Sequence, residues 1–62
     1  MEDNAYYVIN FIKEGKENNF SFEKYTDMYN YLNKIYKDPK VTSIELYTNL
    51  GVKLNYYSYI TD

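Results

Sequence analysis

The 62-residue chain contains no cysteine, histidine, arginine or tryptophan, and only one proline, one alanine and two glycines. Each absence removes a class of chemistry. Without cysteine there is neither a disulfide nor a thiolate metal site. Without histidine the commonest metal ligand and the usual proton shuttle near neutral pH are missing. Arginine dominates bidentate recognition of phosphates and bases, so its absence argues against sequence-specific reading of nucleic acid. Nine carboxylates face seven lysines, a net charge of −2, too small and too scattered for mimicry of a polyanion. No run approaches the roughly 20 apolar residues that span a bilayer. The opening MEDNAYY lacks the basic segment of a signal peptide, so the expected compartment is a cytoplasm.

What is present is aromatic and amide-rich. Asn, Lys, Tyr, Ile and Phe account for 33 of the 62 residues. All five use AT-rich codons, which points to a low-GC bacterial genome, or to a phage or mobile element replicating in one. Ten tyrosines exceed what one small core can use. A chain of this length is expected to be one domain, residues 1–62, burying about 60% of the surface its unfolded form exposes. Such a core supplies only about 3–5 kcal/mol, and small domains commonly add a staple. With disulfides excluded, self-association is the staple expected.

The periodicity predicts an α+β fold of order ββαββ. Ala5 to Lys13 reads as a strand with large groups on both faces, Tyr7, Ile9 and Phe11 on one and Tyr6, Val8 and Ile12 on the other, as in a central strand. A loop over Glu14–Asn18, with Gly15 at positive φ, leads to an alternating strand Asn19–Lys24 with Phe20 and Phe22 inward. Thr26 is placed to cap a helix, with Asp27 in its first turn and a stripe of Met28, Tyr31, Leu32, Ile35 and Tyr36. Pro39 ends it. Val41–Thr48 and Val52–Tyr59 read as two further strands around a turn at Asn49-Leu50-Gly51. The expected architecture is one four-stranded, mainly antiparallel sheet with the helix on one face; the order 2-1-3-4 would put the two-sided first strand inside, and other orders are compatible with the pattern. Its expected core is Tyr7, Ile9, Phe11, Phe20, Phe22, Met28, Leu32, Ile35, Ile44, Leu46, Val52 and Leu54.

One helix covers one face, so the other should carry Tyr6, Val8, Ile12, Tyr47, Tyr57 and Tyr59. Each aromatic ring can bury about 150–250 Å², and tyrosine keeps such a face soluble through its hydroxyl. This face is the expected homodimer or partner interface. The exposed carboxylates Glu14, Glu17, Glu23 and Glu45 are the expected target contacts.

No catalytic motif is present. Ser21, Ser43 and Ser58 have no histidine to activate them. Glu14 and Glu17 read as solvated turn residues, and Glu23 and Asp27 as flanks of a helix start. No glycine-rich phosphate loop exists. The expected protein is not an enzyme and carries no cofactor or metal. A single-strand stacking platform of Tyr47, Lys53, Tyr57 and Tyr59 is the chemical alternative. A dimer cleft that traps a nucleotide signal is another.

The stretch YTDMYNYLNKIYKDPKVTSIELYTNLGVKL, with a phenylalanine-bearing strand before it, resembles small proteins of Firmicutes phages and mobile elements. In element order the chain is similar to the phage inhibitors of uracil-DNA glycosylase and to tiny anti-defence proteins. That resemblance implies a non-enzymatic, anti-CRISPR-like inhibitor in the host cytoplasm. It would act by stoichiometric binding to a bacterial defence or DNA-processing enzyme, as a homodimer.

Overall fold

The fold is organised around its first strand. A computed structural model describes residues 6–61, and in it β1 (Tyr7–Lys13) pairs on one side with β2 (Lys16–Phe22) and on the other with β3 (Val41–Thr48). A two-residue β4 (Lys53–Leu54) extends the sheet beyond β3, giving the antiparallel order β2-β1-β3-β4. The fold is α+β, with a single helix α1 (Tyr25–Tyr36) across one face and a 3-10 turn at Tyr56–Tyr59. Ala5, expected to open the first strand, lies outside the described residues.

β1 alternates as its sequence requires. Ile9 and Phe11 are buried beneath α1, with Tyr7 packed beside them, while Val8, Asn10 and Ile12 point to the other face. From the helix come Met28, Leu32 and Ile35, one stripe at helical spacing, and from β3 comes Leu46. These six residues are the buried core. Tyr7, Phe22, Tyr31, Ile44 and Leu54 pack around it. Two expected core members are not in it. Phe20 is 42% exposed because its strand lies at the sheet edge, beyond full cover of the helix, and Val52 is 54% exposed because it belongs to the turn before β4.

Three boundaries differ from the sequence expectation, each for a local reason. The expected loop at Glu14–Asn18 is a two-residue turn, and β2 begins at Lys16 rather than Asn19. Glu14 and Gly15 take φ of 54° and 81°, the two positive values of the tight turn that matches strand twist. The hairpin tip is tied down from the side: the Glu14 N–H donates to the Lys40 carbonyl at 3.1 Å, and Lys13 pairs with Asp38 at 3.0 Å. Helix α1 begins at Tyr25, one residue ahead of the expected cap at Thr26, with Lys24 at the cap position and no side-chain cap. The Tyr25 ring lies 6.1 Å from that of Tyr7 and 5.9 Å from that of Tyr29, packing that holds it in the first turn. The expected fourth strand, Val52–Tyr59, stops at Leu54. The Asn55 side chain accepts from the Tyr57 N–H at 3.2 Å and turns the chain out of the sheet.

Glu14 occupies a left-handed position that disfavours a residue with a long side chain by about 1–2 kcal/mol, and asparagine relieves part of that cost. Its ion pair with Lys40, at 3.3 Å between exposed groups, is worth little. Glu14→Asn is therefore expected to raise stability by roughly 0.5–1 kcal/mol in urea unfolding. A loss of that size would show that the turn is not of this type.

Candidate interaction surface

The turn out of the sheet at Asn55 decides where the aromatic rings go. From Tyr56 onward the chain crosses back over the helix side. Tyr56 and Tyr57 stack at 4.5 Å and both meet Tyr36, at 6.3 and 6.1 Å. Tyr59 meets Tyr25 at 6.0 Å. Near β2, Tyr31 contacts Phe11, Phe20 and Phe22 at 6.0, 5.4 and 5.2 Å. Eight tyrosines thus form ring contacts on the helix side: Tyr7, Tyr25, Tyr29, Tyr31, Tyr36, Tyr56, Tyr57 and Tyr59.

One amide fastens this segment. Asn33 Nδ2 donates to the Tyr29 carbonyl at 2.8 Å and to the Tyr59 carbonyl at 3.1 Å, and Asn33 Oδ1 accepts from the Thr61 N–H at 2.7 Å. Asn33 lies outside the apolar stripe of Met28, Leu32 and Ile35. It is half-buried, and both ends of its side chain are engaged. No periodicity identifies such a residue, because the strip it binds is irregular backbone.

The face expected to carry six interface residues therefore carries fewer. Val8 and Ile12 of β1 and Tyr47 of β3 do share it, with Val8 directly opposite Tyr47, and Tyr6 lies just ahead of β1. Tyr57 and Tyr59 do not: they lie on the 3-10 turn against the helix side, so they are not on the sheet face on which the fourth strand would have put them. The stacking platform separates in the same way. Tyr47 and Lys53 are paired neighbours, and Tyr57 and Tyr59 lie elsewhere. Of the four carboxylates expected to meet a target, Glu17 and Glu45 are on the open face. Glu14 is at the hairpin tip beside Lys40, and Glu23 is exposed in the bend before α1.

Between the carboxylates lies a shallow dish of about 460 Å³ lined by Asn10, Ile12, Glu17, Asn19, Ser43 and Glu45. The register explains it. Asn10 sits between Asn19 and Glu45, and Ile12 between Glu17 and Ser43. Asn19 Nδ2 donates to Asn10 Oδ1 across the strands. Glu45 accepts from the Tyr47 hydroxyl at 3.4 Å and is 3.9 Å from the Lys53 ammonium. Glu17 and Glu45 are the charged residues of its lining and make the dish negative. The amide pair at Asn10 and Asn19 was not singled out by the sequence, although a polar residue between Ile9 and Phe11 is the signal for it.

Among the described residues no group of carboxylates is arranged to hold a metal ion, and no helix is long and apolar enough to cross a membrane. Comparison of the chain with protein-family models, with curated proteins and with solved structures found no match.

Two groups of the helix side give measurable consequences. A hydrogen bond with Tyr57, then burial, push the Tyr56 phenol up to about 12. A raised value in the folded chain means that the stability this phenol contributes is complete below its unfolded value near 10 and is lost as pH rises through about 12. The phenolate absorbance that distinguishes wild type from Tyr56→Phe should therefore appear near pH 12, and Tyr57→Phe should bring it down; absorbance appearing near pH 10 would show the two hydroxyls to be apart. Asn33→Ala is expected to cost about 1–3 kcal/mol, since it strands polar groups of the docked segment. Asn33→Asp keeps the acceptor for Thr61 and should cost less; equal stability of Asn33→Ala and wild type in urea would rule out the fastening.

Proposed function

We propose that this chain is a non-enzymatic binding protein of phage or mobile-element type that works in a bacterial cytoplasm. It inhibits a host defence or DNA-processing enzyme by stoichiometric contact. The observation that carries the reading is the composition of the uncovered sheet face. Val8, Ile12 and Tyr47 supply apolar and aromatic area, while Glu17 and Glu45 supply negative charge beside the amides of Asn10 and Asn19. Interfaces of modest size combine these ingredients: an aromatic anchor, apolar neighbours and a polar surround that fixes orientation. The complementary target surface is one that offers lysine or arginine beside an apolar patch. Rigid strands hold the face, so little ordering entropy opposes binding.

The stacking alternative has weaker support. One tyrosine beside one lysine makes a poor platform for successive bases, and the face around them is acidic.

The test compares wild type with Tyr47→Ala and Ile12→Lys, each checked for native circular dichroism. Immobilised wild type is expected to retain a host protein in stoichiometric amount from a low-GC bacterial lysate, and both variants to retain at least tenfold less, as loss of an anchor of about 1.4 kcal/mol or more implies. The same proteins are titrated with single-stranded oligonucleotides at low salt. An oligonucleotide shift in wild type that Tyr47→Ala abolishes would transfer the assignment to nucleic acid.

A further inference from the structure

The two edges of the sheet are unlike. On one side β4 is two residues long and the chain then turns away from the sheet. On the other, β2 runs seven residues, Lys16–Phe22, in unbroken register with β1, without proline or bulge. Proteins normally blunt an edge of that length with a proline, a bulge, a covering loop or charged side chains, and in β2 the charges are confined to Lys16 and Glu17 at the hairpin end. Because the hairpin turn has two residues, Lys13 and Lys16 form a hydrogen-bonded pair. The backbone groups of Asn18, Phe20 and Phe22 therefore also point to β1, and those of Glu17, Asn19 and Ser21 point outward, to an edge that no strand among the described residues pairs with.

We propose that β2 pairs antiparallel with β2 of a second copy about a two-fold axis at Asn19, joining two sheets into one of eight strands. The occupant is a second copy because the edge is complementary to itself. Full overlap of the strand sets Lys16 opposite Phe22 of the partner subunit, Glu17 opposite Ser21 of the partner subunit, Asn18 opposite Phe20 of the partner subunit, and the two Asn19 residues opposite each other. No like charges are directly opposed in this register. Sliding the strands by one permitted step, with the axis at Phe20, would set Glu17 against Glu23 and Lys16 against Lys24, an unfavourable arrangement. The two half-exposed Phe20 rings become diagonal neighbours, within the reach of aromatic side chains.

The helix layer agrees with the same axis. Beside β2, a groove of about 400 Å³ is lined by Phe22, Asp27, Asn30, Tyr31 and Lys34. Asp27 lies at the Phe22 end, and Lys34 also borders the Asn18 and Phe20 end. A two-fold axis through the middle of the strand brings Asp27 toward Lys34 of the partner subunit, and Lys34 toward Asp27 of the partner subunit. Opposite charges thus meet in the helix layer while no like charges are opposed in the strand layer, and the apolar rim of Phe20, Phe22 and Tyr31 closes between them. The pairing leaves Val8, Ile12, Tyr47 and Glu45 of the open sheet face free on both subunits, so it goes beyond the proposed function and does not depend on it.

The experiment uses the full chain. Wild type should sediment at about twice the chain mass of 7.5 kDa. Asn19→Lys, which sets two ammonium groups together at the axis, and Ser21→Pro, which removes an outward N–H while sparing the bonds to β1, should both sediment at once that mass with native circular dichroism. In this cysteine-free chain, Asn19→Cys should oxidise to a covalent dimer, and Tyr47→Cys, on the open face, should not. The assignment is overturned if folded wild type is monomeric at high micromolar concentration. It is equally overturned if Asn19→Lys is as dimeric as wild type, or if Tyr47→Cys cross-links as readily as Asn19→Cys. Tyr47→Ala and Ile12→Lys should remain dimeric, so loss of the dimer and loss of target binding are read on different residues.

Discussion

A single twelve-residue helix can cover one face of a four-stranded sheet and no more. That constraint governs the molecule. Among the described residues the six buried hydrophobics, Ile9, Phe11, Met28, Leu32, Ile35 and Leu46, all lie between helix and sheet. The tyrosines enlarge this one covered side. Tyr25, Tyr31 and Tyr36 extend from the helix to meet Tyr7, the phenylalanines of β1 and β2, and the docked segment at Tyr56–Tyr59. Phenol groups suit this margin because their rings can be buried while their hydroxyls reach water.

The consequence is asymmetry. Had the chain after Leu54 continued as a strand, Tyr57 and Tyr59 would have faced away from the helix and made the uncovered face strongly aromatic. Instead Asn55 ends the strand and Asn33 secures the following segment on the helix side. The uncovered face keeps Val8, Ile12 and Tyr47 among amides and carboxylates. It is a surface with defined polarity rather than a general hydrophobic patch, which is what the proposed stoichiometric binding calls for. The open edge at β2 is a separate resource, its backbone groups lying in the plane of the sheet rather than above it.

Much of this was legible in the residues. The alternation of β1, with large groups on both sides, placed it inside the sheet; that favoured the order 2-1-3-4 without excluding others, and the strand pairing decides it. The helical spacing of Met28, Leu32 and Ile35 gave the covered face. Val8, Ile12, Tyr47 and Glu45 were placed correctly because strand parity alone determines a face, whereas Glu17, read as a loop residue, lies within β2. The errors have local causes. Runs such as KLNYYSY alternate like a strand, but side chain to backbone bonding at Asn55 and ring packing on Tyr36 and Tyr25 override that propensity. Asparagine signals of this kind act on backbone three-dimensionally near but distant in sequence, as Asn33 acts on Tyr59 and Thr61. Likewise, the pairing of Glu14 with Gly15 as a two-residue turn was hidden by the polar run KEGKENN, which reads equally well as a longer loop.

The central claim is that the segment after Leu54 is bound to the helix and so leaves the opposite face of the sheet uncovered. Amide hydrogen exchange at Thr61 tests it most directly, since that N–H is held by Asn33 Oδ1 at 2.7 Å. A docked segment predicts exchange slowed by roughly tenfold or more relative to an unstructured peptide, with protection lost in Asn33→Ala. Exchange of the Thr61 amide at the unstructured rate in the folded protein would contradict it.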